Sequence, residues 1–230
     1  MLLPNKFSNW IYSLIPTRIS NHMVITFYEL LCRLQKLIKT DYDNHLISNR
    51  LAFPSHLPAI IQHNGYIEDQ HHYVDMRYGK TTMQYAGCEI FAVYNAIYSL
   101  SGHSLIELPD LIYYFEKDGM TLNGKMGTSP MASVRFLENH HFHTAFTTNE
   151  KDFDTLAKAC QSLIFTMYNN RNDIRKMVHT IHISKADNMY TAHNVYCNGT
   201  VIGPYPTFGE LMENIHHGNA KGILLIGINP

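Results

Sequence analysis

The chemistry that this sequence offers begins at one cysteine, Cys88, which follows the small-residue turn Ala86-Gly87. Apolar residues come after it at helical spacing, and Gly102 supplies a stop, so a buried helix is predicted from about residue 88 to residue 100. Cys88 then lies at or near the helix N-terminus, where unpaired backbone N–H groups and the helix dipole favour a thiolate over a thiol. A cysteine placed in this way can be a nucleophile when a histidine from elsewhere in the chain folds beside it.

A hairpin late in the chain offers the partners that a nucleophilic cysteine needs. Two strands and a tight turn are predicted within residues 178–196. His179 shares a strand face with two isoleucines, and if that face is turned to the core, its imidazole points toward the packed helix. Pairing about the turn places Asn194 nearly opposite His179. The Asn194 carboxamide is thus expected to accept a hydrogen bond from one ring nitrogen of His179 while the other nitrogen faces Cys88.

Three segments together resemble the papain-like cysteine peptidases, namely residues 84–88 (QYAGC), 178–183 (VHTIHI) and 191–196 (TAHNVY). Their order and separation carry the resemblance, which covers about residues 80–228. The sequence is most similar to a small bacterial branch, the double-glycine leader peptidase domains of bacteriocin exporters. Because no transporter segment is attached, a stand-alone version of such a domain is expected.

The resemblance implies a role for each of four residues. Cys88 would be the nucleophile, His179 the general base and acid, and Asn194 the residue that orients the imidazole. Gln84 would supply one oxyanion donor beside the backbone N–H of Cys88. A peptide or protein would be the substrate, and neither a metal nor an organic cofactor would be needed.

Two residues depart from the pattern of the family. Gln84 stands closer to Cys88 than the family's glutamine usually does, and Glu89 occupies a position that normally carries a small or neutral residue. A carboxylate at residue 89 raises the pKa of the Cys88 thiol unless its side chain points into solvent. These departures motivate a second hypothesis, a catalytically weak or inactive papain-like fold that binds peptides or partner proteins. A third hypothesis keeps the nucleophile but transfers the acyl group to an amine.

Other histidines and cysteines are candidates for the same roles. His193 is a rival base that points to the opposite face of its strand, and His182 lies on the outward face, so a surface position is predicted for it. The remaining thiols sit inside apolar patterns and are predicted to be core residues: Cys32, Cys160 and Cys197.

The chain contains 15 histidines, which raises the possibility of a metal site. The densest cluster, residues 138–143 (ENHHFH), matches neither the His-Glu-x-x-His nor the zinc-finger spacing, so a solvent-facing helix end is the better account. The polar run 169–173 (NNRND) precedes the His179 strand. It either borders a substrate cleft or is an ordinary polar loop.

Composition limits the classes of function. The 230 residues are 45% hydrophobic and 16% charged with a net charge of −1, which suits one large core and gives no support to nucleic-acid binding. No apolar run approaches the ~18–20 residues of a membrane span. The four cysteines are scattered and no signal peptide is recognisable, so reduced thiols and a cytoplasmic location are expected. The sequence leaves the oligomeric state open.

The order of predicted elements indicates an α+β fold, in which a helical N-terminal half around the nucleophile helix packs on a mainly antiparallel sheet. Residues 1–63 are predicted to be a helical extension with an amphipathic helix at 23–39, and residues 64–230 the peptidase-like domain. The extension is a helical cap on the core, a pro-segment or a membrane-surface anchor. Further helices are predicted at residues 105–116, 129–138, 150–160 and 207–215, and strands at residues 143–147, 163–168, 178–184, 189–196 and 222–228.

Overall fold

A computed structural model describes residues 20–171 and 178–230 of the chain. Within them the α-helices are α1 (Asn21–Gln35), α2 (Tyr42–Ala52), α3 (Leu57–Gln62), α4 (Met83–Ala86), α5 (Cys88–Ser101), α6 (Leu108–Asp118), α7 (Met131–Asn139), α8 (Phe153–Ala159) and α9 (Phe208–Asn214). The strands are β1 (Arg77–Tyr78), β2 (Thr81–Thr82), β3 (His143–Thr147), β4 (Ser162–Tyr168), β5 (Val178–Ala186), β6 (Met189–His193), β7 (Ile202–Tyr205) and β8 (Lys221–Asn229).

The main sheet has six strands in the order β3-β8-β4-β5-β6-β7, and every neighbouring pair in it is antiparallel. The prediction of mixed α and β structure with an antiparallel sheet is therefore confirmed. The last strand, β8, lies between β3 and β4, as its uninterrupted apolar run predicts.

Both faces of the sheet are covered by apolar side chains. On one face, Ile164 of β4 belongs to the same core cluster as Ile90 and Phe91 of α5. On the other face, Ile181 of β5 packs in a second cluster with Phe153 of α8. A strand buried on both sides has no outward face, so a polar residue such as His182 on β5 is buried whichever face it points to.

Helix α5 has the predicted bounds and is buried along most of its length. It begins at Cys88 and ends at Ser101, with Gly102 as its C-cap in the left-handed conformation at φ 72°. Glycine accommodates this φ without the steric cost that a Cβ would bring. Because the helix passes through the core, the position of its first residue is fixed by packing rather than by a surface loop.

The N-terminal helices contribute to the core that surrounds α5. Val24, Ile25 and Tyr28 of α1 and Ile60 of α3 belong to the same cluster as the apolar residues of α5. Helix α1 ends at Gln35, so the amphipathic pattern at residues 23–39 extends past the observed helix. Residues 1–19 of the predicted extension lie outside the described residues. Nowhere in residues 20–171 and 178–230 is a helix both long enough and apolar enough to cross a membrane.

Candidate active site

Two of the predicted site residues meet in one cavity. Cys88, half-buried at the start of α5, and His179, near the start of β5, both line a cavity of about 480 Å³. Neither Gln84 nor Glu89 is among the residues that line this cavity. The sheet and helix α5 thus bring a thiol and an imidazole to the same cavity.

The hydrogen bonding of His179 defines its tautomer. Its Nε2 lies 2.8 Å from the main-chain carbonyl oxygen of Asn194, and because a carbonyl can only accept, Nε2 carries the proton. In the neutral ring the lone pair is then on Nδ1. Burial lowers the pKa of His179 to about 4, although the bond to Asn194 works in the opposite direction. His179 is therefore a neutral imidazole at pH 7, which is the form that can accept a proton.

Asn194 contacts His179 through a different group from the one expected. Strand β6 ends at His193, which pairs with His182, and Asn194 turns out of the strand in the left-handed conformation at φ 57°. This turn directs the main-chain carbonyl to the ring, while the carboxamide Nδ2 donates to Gln70 Oε1 at 3.3 Å. The expected carboxamide bond to His179 is not formed because the observed register does not place residues 179 and 194 opposite one another.

Gln70 lines the cavity, whereas Gln84 does not. Gln70 is 3% exposed, and its Nε2 donates to the main-chain oxygen of Gln84 at 2.8 Å. Its amide has a second N–H that this bond does not use. The apolar residues around Gln70 do not recur with the period of a helix or a strand, so no local pattern predicts a role for this glutamine.

Cys197 is a second thiol in the same cavity, not a core residue as predicted. Its Sγ lies 3.9 Å from His179 Nε2 and 4.0 Å from Gln70 Oε1. Burial, with a smaller contribution from Cys88, raises the pKa of Cys197 to about 12. Cys32 and Cys160, in contrast, are buried as predicted.

The acidic neighbour of Cys88 does not point into solvent. Glu89 is 1% exposed and accepts a hydrogen bond from the Ser133 hydroxyl. Burial raises the pKa of Glu89 to about 7 despite that bond. Burial, followed by the charge of Glu89, also raises the pKa of Cys88 to about 11, although a hydrogen bond with the main chain of Thr180 opposes the shift. The resting site therefore holds a neutral thiol and a neutral imidazole.

The prediction of a surface position for His182 is wrong. His182 is fully buried, its Nε2 lies 2.9 Å from the Ser162 hydroxyl, and its ring stacks on Tyr66 with centroids 5.9 Å apart. The outward face that the alternation suggested is covered by helix α5. His193, the rival base, is likewise buried and does not line the cavity.

A short segment before β1 holds the loop that carries Asn194 and Cys197. Glu68 Oε2 accepts from the Asn194 N–H at 2.8 Å, and the ring of Tyr66 stacks on His193 with centroids 4.2 Å apart. His71 Nδ1 donates to the main-chain carbonyl of Cys197. No sequence pattern predicts these contacts, because they join parts of the chain more than 120 residues apart.

The histidine cluster at the end of α7 is exposed at His140, His141 and His143. Within the part of the chain that the structure describes, no group of three or more His, Cys, Asp or Glu side chains is arranged to hold a metal ion. Of the polar run 169–173, Asn169 and Asn170 line the cavity, whereas residues 172 and 173 lie outside the described residues.

Comparisons of the chain with protein-family models, with curated proteins and with solved structures gave no match.

Proposed function

We propose that this protein is a papain-like thiol hydrolase that cleaves a peptide or amide bond. The observation that carries the proposal is the shared cavity of Cys88 and His179, in which the ring is held through Nε2 by the Asn194 carbonyl. A nucleophile, a base and a group that orients the base are the three parts of a thiol-protease centre. The sequence resemblance to leader peptidase domains points to a peptide or protein as the substrate.

In the first half of the reaction, the Cys88 sulfur attacks the substrate carbonyl while Nδ1 of His179 takes the thiol proton. The new C–S bond places negative charge on the carbonyl oxygen. The backbone N–H of Cys88 at the helix N-terminus and the second N–H of Gln70 are the donors proposed for that oxygen. His179 then gives its proton to the leaving amine, the C–N bond breaks, and a thioester with Cys88 remains.

In the second half of the reaction, water replaces the amine. His179 Nδ1 removes a proton from the water as its oxygen attacks the thioester. Collapse of the adduct breaks the C–S bond, releases the carboxylic acid and returns the proton to the Cys88 sulfur. If an amine attacks instead of water, the same thioester gives a new amide, which is the acyl-transfer alternative.

The two pKa values decide when the proton moves. The pKa of the Cys88 thiol is about 11 and that of the His179 imidazolium is about 4. Both shifts disfavour a thiolate–imidazolium pair at rest. Proton transfer that accompanies C–S bond formation avoids this pair, because the negative charge then develops on the carbonyl oxygen.

The cavity suits an uncharged stretch of peptide. Its volume of about 480 Å³ is within the range of small-ligand sites. Of the described residues that line it, none is Asp, Glu, Lys or Arg, and several bear a carboxamide or a phenol: Gln70, Tyr85, Asn169, Asn170, Tyr196 and Asn198. Such groups hydrogen-bond to peptide amides without requiring a charged side chain.

The test is turnover of fluorogenic peptide amides by the wild type and by Cys88→Ala and His179→Ala, with Cys160→Ala as the matched cysteine control. We expect both site variants to lose turnover and the control to retain it. Mass spectrometry of the products with and without an added amine separates hydrolysis from acyl transfer. Full turnover by Cys88→Ala would overturn the proposal.

A second candidate function, peptide binding without cleavage, is favoured by the buried Glu89 beside Cys88. Its charge and the burial of the thiol both oppose formation of a thiolate. A binding module would capture a peptide equally well as wild type and as Cys88→Ala, and it would give no thioester with any substrate. Trapping an acyl group on Cys88, detected as a mass increase on the peptide that contains it, rules this candidate out.

A further inference from the structure

The carboxylate of Glu68 is buried at 3% exposure and accepts two hydrogen bonds from neighbouring residues. Its Oε2 lies 2.8 Å from the Asn194 N–H, and its Oε1 lies 2.5 Å from Nδ1 of His193. The main-chain oxygen of Glu68 also accepts from the Gly199 N–H at 3.1 Å. Glu68 thus holds the loop 194–199 at both ends.

The bond to Asn194 bears directly on His179. Asn194 has φ 57°, a left-handed conformation that costs energy for any residue with a Cβ, although asparagine tolerates it better than most. Its N–H is held by Glu68, and its carbonyl accepts from His179 Nε2. With both ends of the residue bound, the direction of the carbonyl is fixed.

Glu68 is itself anchored to the nucleophile helix. The side chain of Asn95, on α5 and fully buried, accepts from the N–H of Ile67 at 2.8 Å and donates to its carbonyl at 3.0 Å. Asn95 lies about two turns along the helix from Cys88. A continuous path of hydrogen bonds and covalent bonds therefore connects the helix that carries the thiol with the loop that holds the imidazole.

We propose that Glu68 is a positioning residue for His179, acting through the main chain of Asn194. The expected effect of Glu68 on turnover rests on the proposed function, whereas its expected effect on the His179 ring does not. In this arrangement the orienting oxygen of the catalytic centre belongs to the backbone, so a carboxylate elsewhere must define where that oxygen points. The alternative is that Glu68 and His193 merely complete a buried polar network with Ser184, whose hydroxyl lies 2.8 Å from His193 Nε2.

Three substitutions of Glu68 separate these roles. Glu68→Ala removes both acceptors. Glu68→Asp keeps the charge but shortens the side chain by one methylene, which withdraws the oxygen from Asn194. Glu68→Gln keeps one oxygen for the Asn194 N–H, and its amide can donate to a neutral His193. Ser184→Ala is the matched control, because it breaks the far end of the network and leaves the bond between Glu68 and Asn194 intact.

The measurements are the ¹⁵N and ¹H NMR signals of the His179 ring and the turnover of a peptide amide. We expect wild type, Glu68→Gln and Ser184→Ala to show a single Nε2–H tautomer with a slowly exchanging ring proton. Glu68→Ala and Glu68→Asp should show a tautomer mixture and faster exchange. Since a misplacement of about 1 Å can cost about 100-fold in rate, kcat should fall by about that factor in these two variants with KM little changed.

An unchanged ring signature in Glu68→Asp, or in a folded Glu68→Ala, overturns the proposal, as does its loss in Ser184→Ala. If Glu68→Ala does not fold, the aspartate variant decides the matter. If the wild type turns over no peptide, the proposed function fails, whereas the ring signature still tests the role of Glu68.

Discussion

The Nε2 of His179 lies 2.8 Å from the main-chain carbonyl oxygen of Asn194, and the carboxamide of the same asparagine bonds instead to Gln70. The group that contacts the imidazole is a main-chain carbonyl, which every residue type has. Any residue that adopts the backbone conformation of Asn194 can therefore make the same contact. The substitutions that disturb the site most are then those that move the backbone, and this distinguishes the protein from a centre that uses a side-chain amide.

Asn194→Gly tests this assignment. Glycine adopts φ 57° without a steric penalty and keeps the carbonyl, so the bond to His179 is expected to persist. The lost bond to Gln70 should cost about 1 kcal/mol of stability. We expect kcat/KM for a peptide amide to fall by less than about tenfold, far below the about 10⁴-fold loss that follows a change in the orienting group of a catalytic triad. A loss approaching the latter factor in a folded variant would contradict the backbone assignment.

The two glutamines make a matched pair for testing the proposed oxyanion site. Gln70 lines the cavity, whereas Gln84 contributes a main-chain oxygen that survives substitution of its side chain. Gln70→Ala should lower kcat by about 10²–10³-fold, the range found when one oxyanion donor is removed. Gln84→Ala should change kcat by no more than a few fold. The opposite order of effects would support the oxyanion role that the family resemblance implies for Gln84.

Glu89→Gln should make Cys88 more reactive toward alkylation. Glutamine is close to glutamate in shape and can still accept from the Ser133 hydroxyl, but it removes the charge that is the second cause of the raised thiol pKa. Each unit by which the Cys88 pKa falls raises the thiolate fraction about tenfold. The rate of iodoacetamide addition to Cys88 at pH 8, followed by mass spectrometry of that peptide, should therefore increase. An unchanged or lower rate would show that Glu89 does not act on the thiol.

His179 should make the fold less stable in mild acid. The pKa of His179 is about 4 in the folded protein against an ordinary value of 6.5, so the unfolded chain takes up a proton between these pH values and the folded ring does not. The contribution is absent above pH 6.5 and grows as the pH falls toward 4, reaching about 3 kcal/mol of destabilisation.

His179→Gln has no titrating ring and provides the reference for this effect. Urea unfolding of both proteins at several pH values gives the difference between their free energies of unfolding. Relative to the variant, the wild type should lose about 3 kcal/mol between pH 7 and pH 4. A difference that does not vary with pH would mean that His179 titrates alike in the folded and unfolded states.

The sequence by itself determined those helices and strands whose apolar residues recur with a regular period. The apolar spacing after Cys88 and the glycine at residue 102 predict a helix that the structure gives as Cys88–Ser101. The apolar run at residues 222–228 predicts an interior strand, and β8 is one. These features are local, because the residues that form one face of a helix or strand are only a few positions apart in the sequence.

Only the tertiary structure decided which atoms meet at the site. Alternation along one strand predicts a surface position for His182, because it cannot show that the sheet is covered on both faces. Gln70, Glu68 and Cys197 lie in segments without a period, and their positions follow from contacts with residues distant in the chain. The carbonyl that holds His179 depends on one left-handed residue, Asn194, whose N–H is bound by Glu68, a residue 126 positions away in the chain. Non-local hydrogen bonds of this kind leave no local pattern from which to predict them.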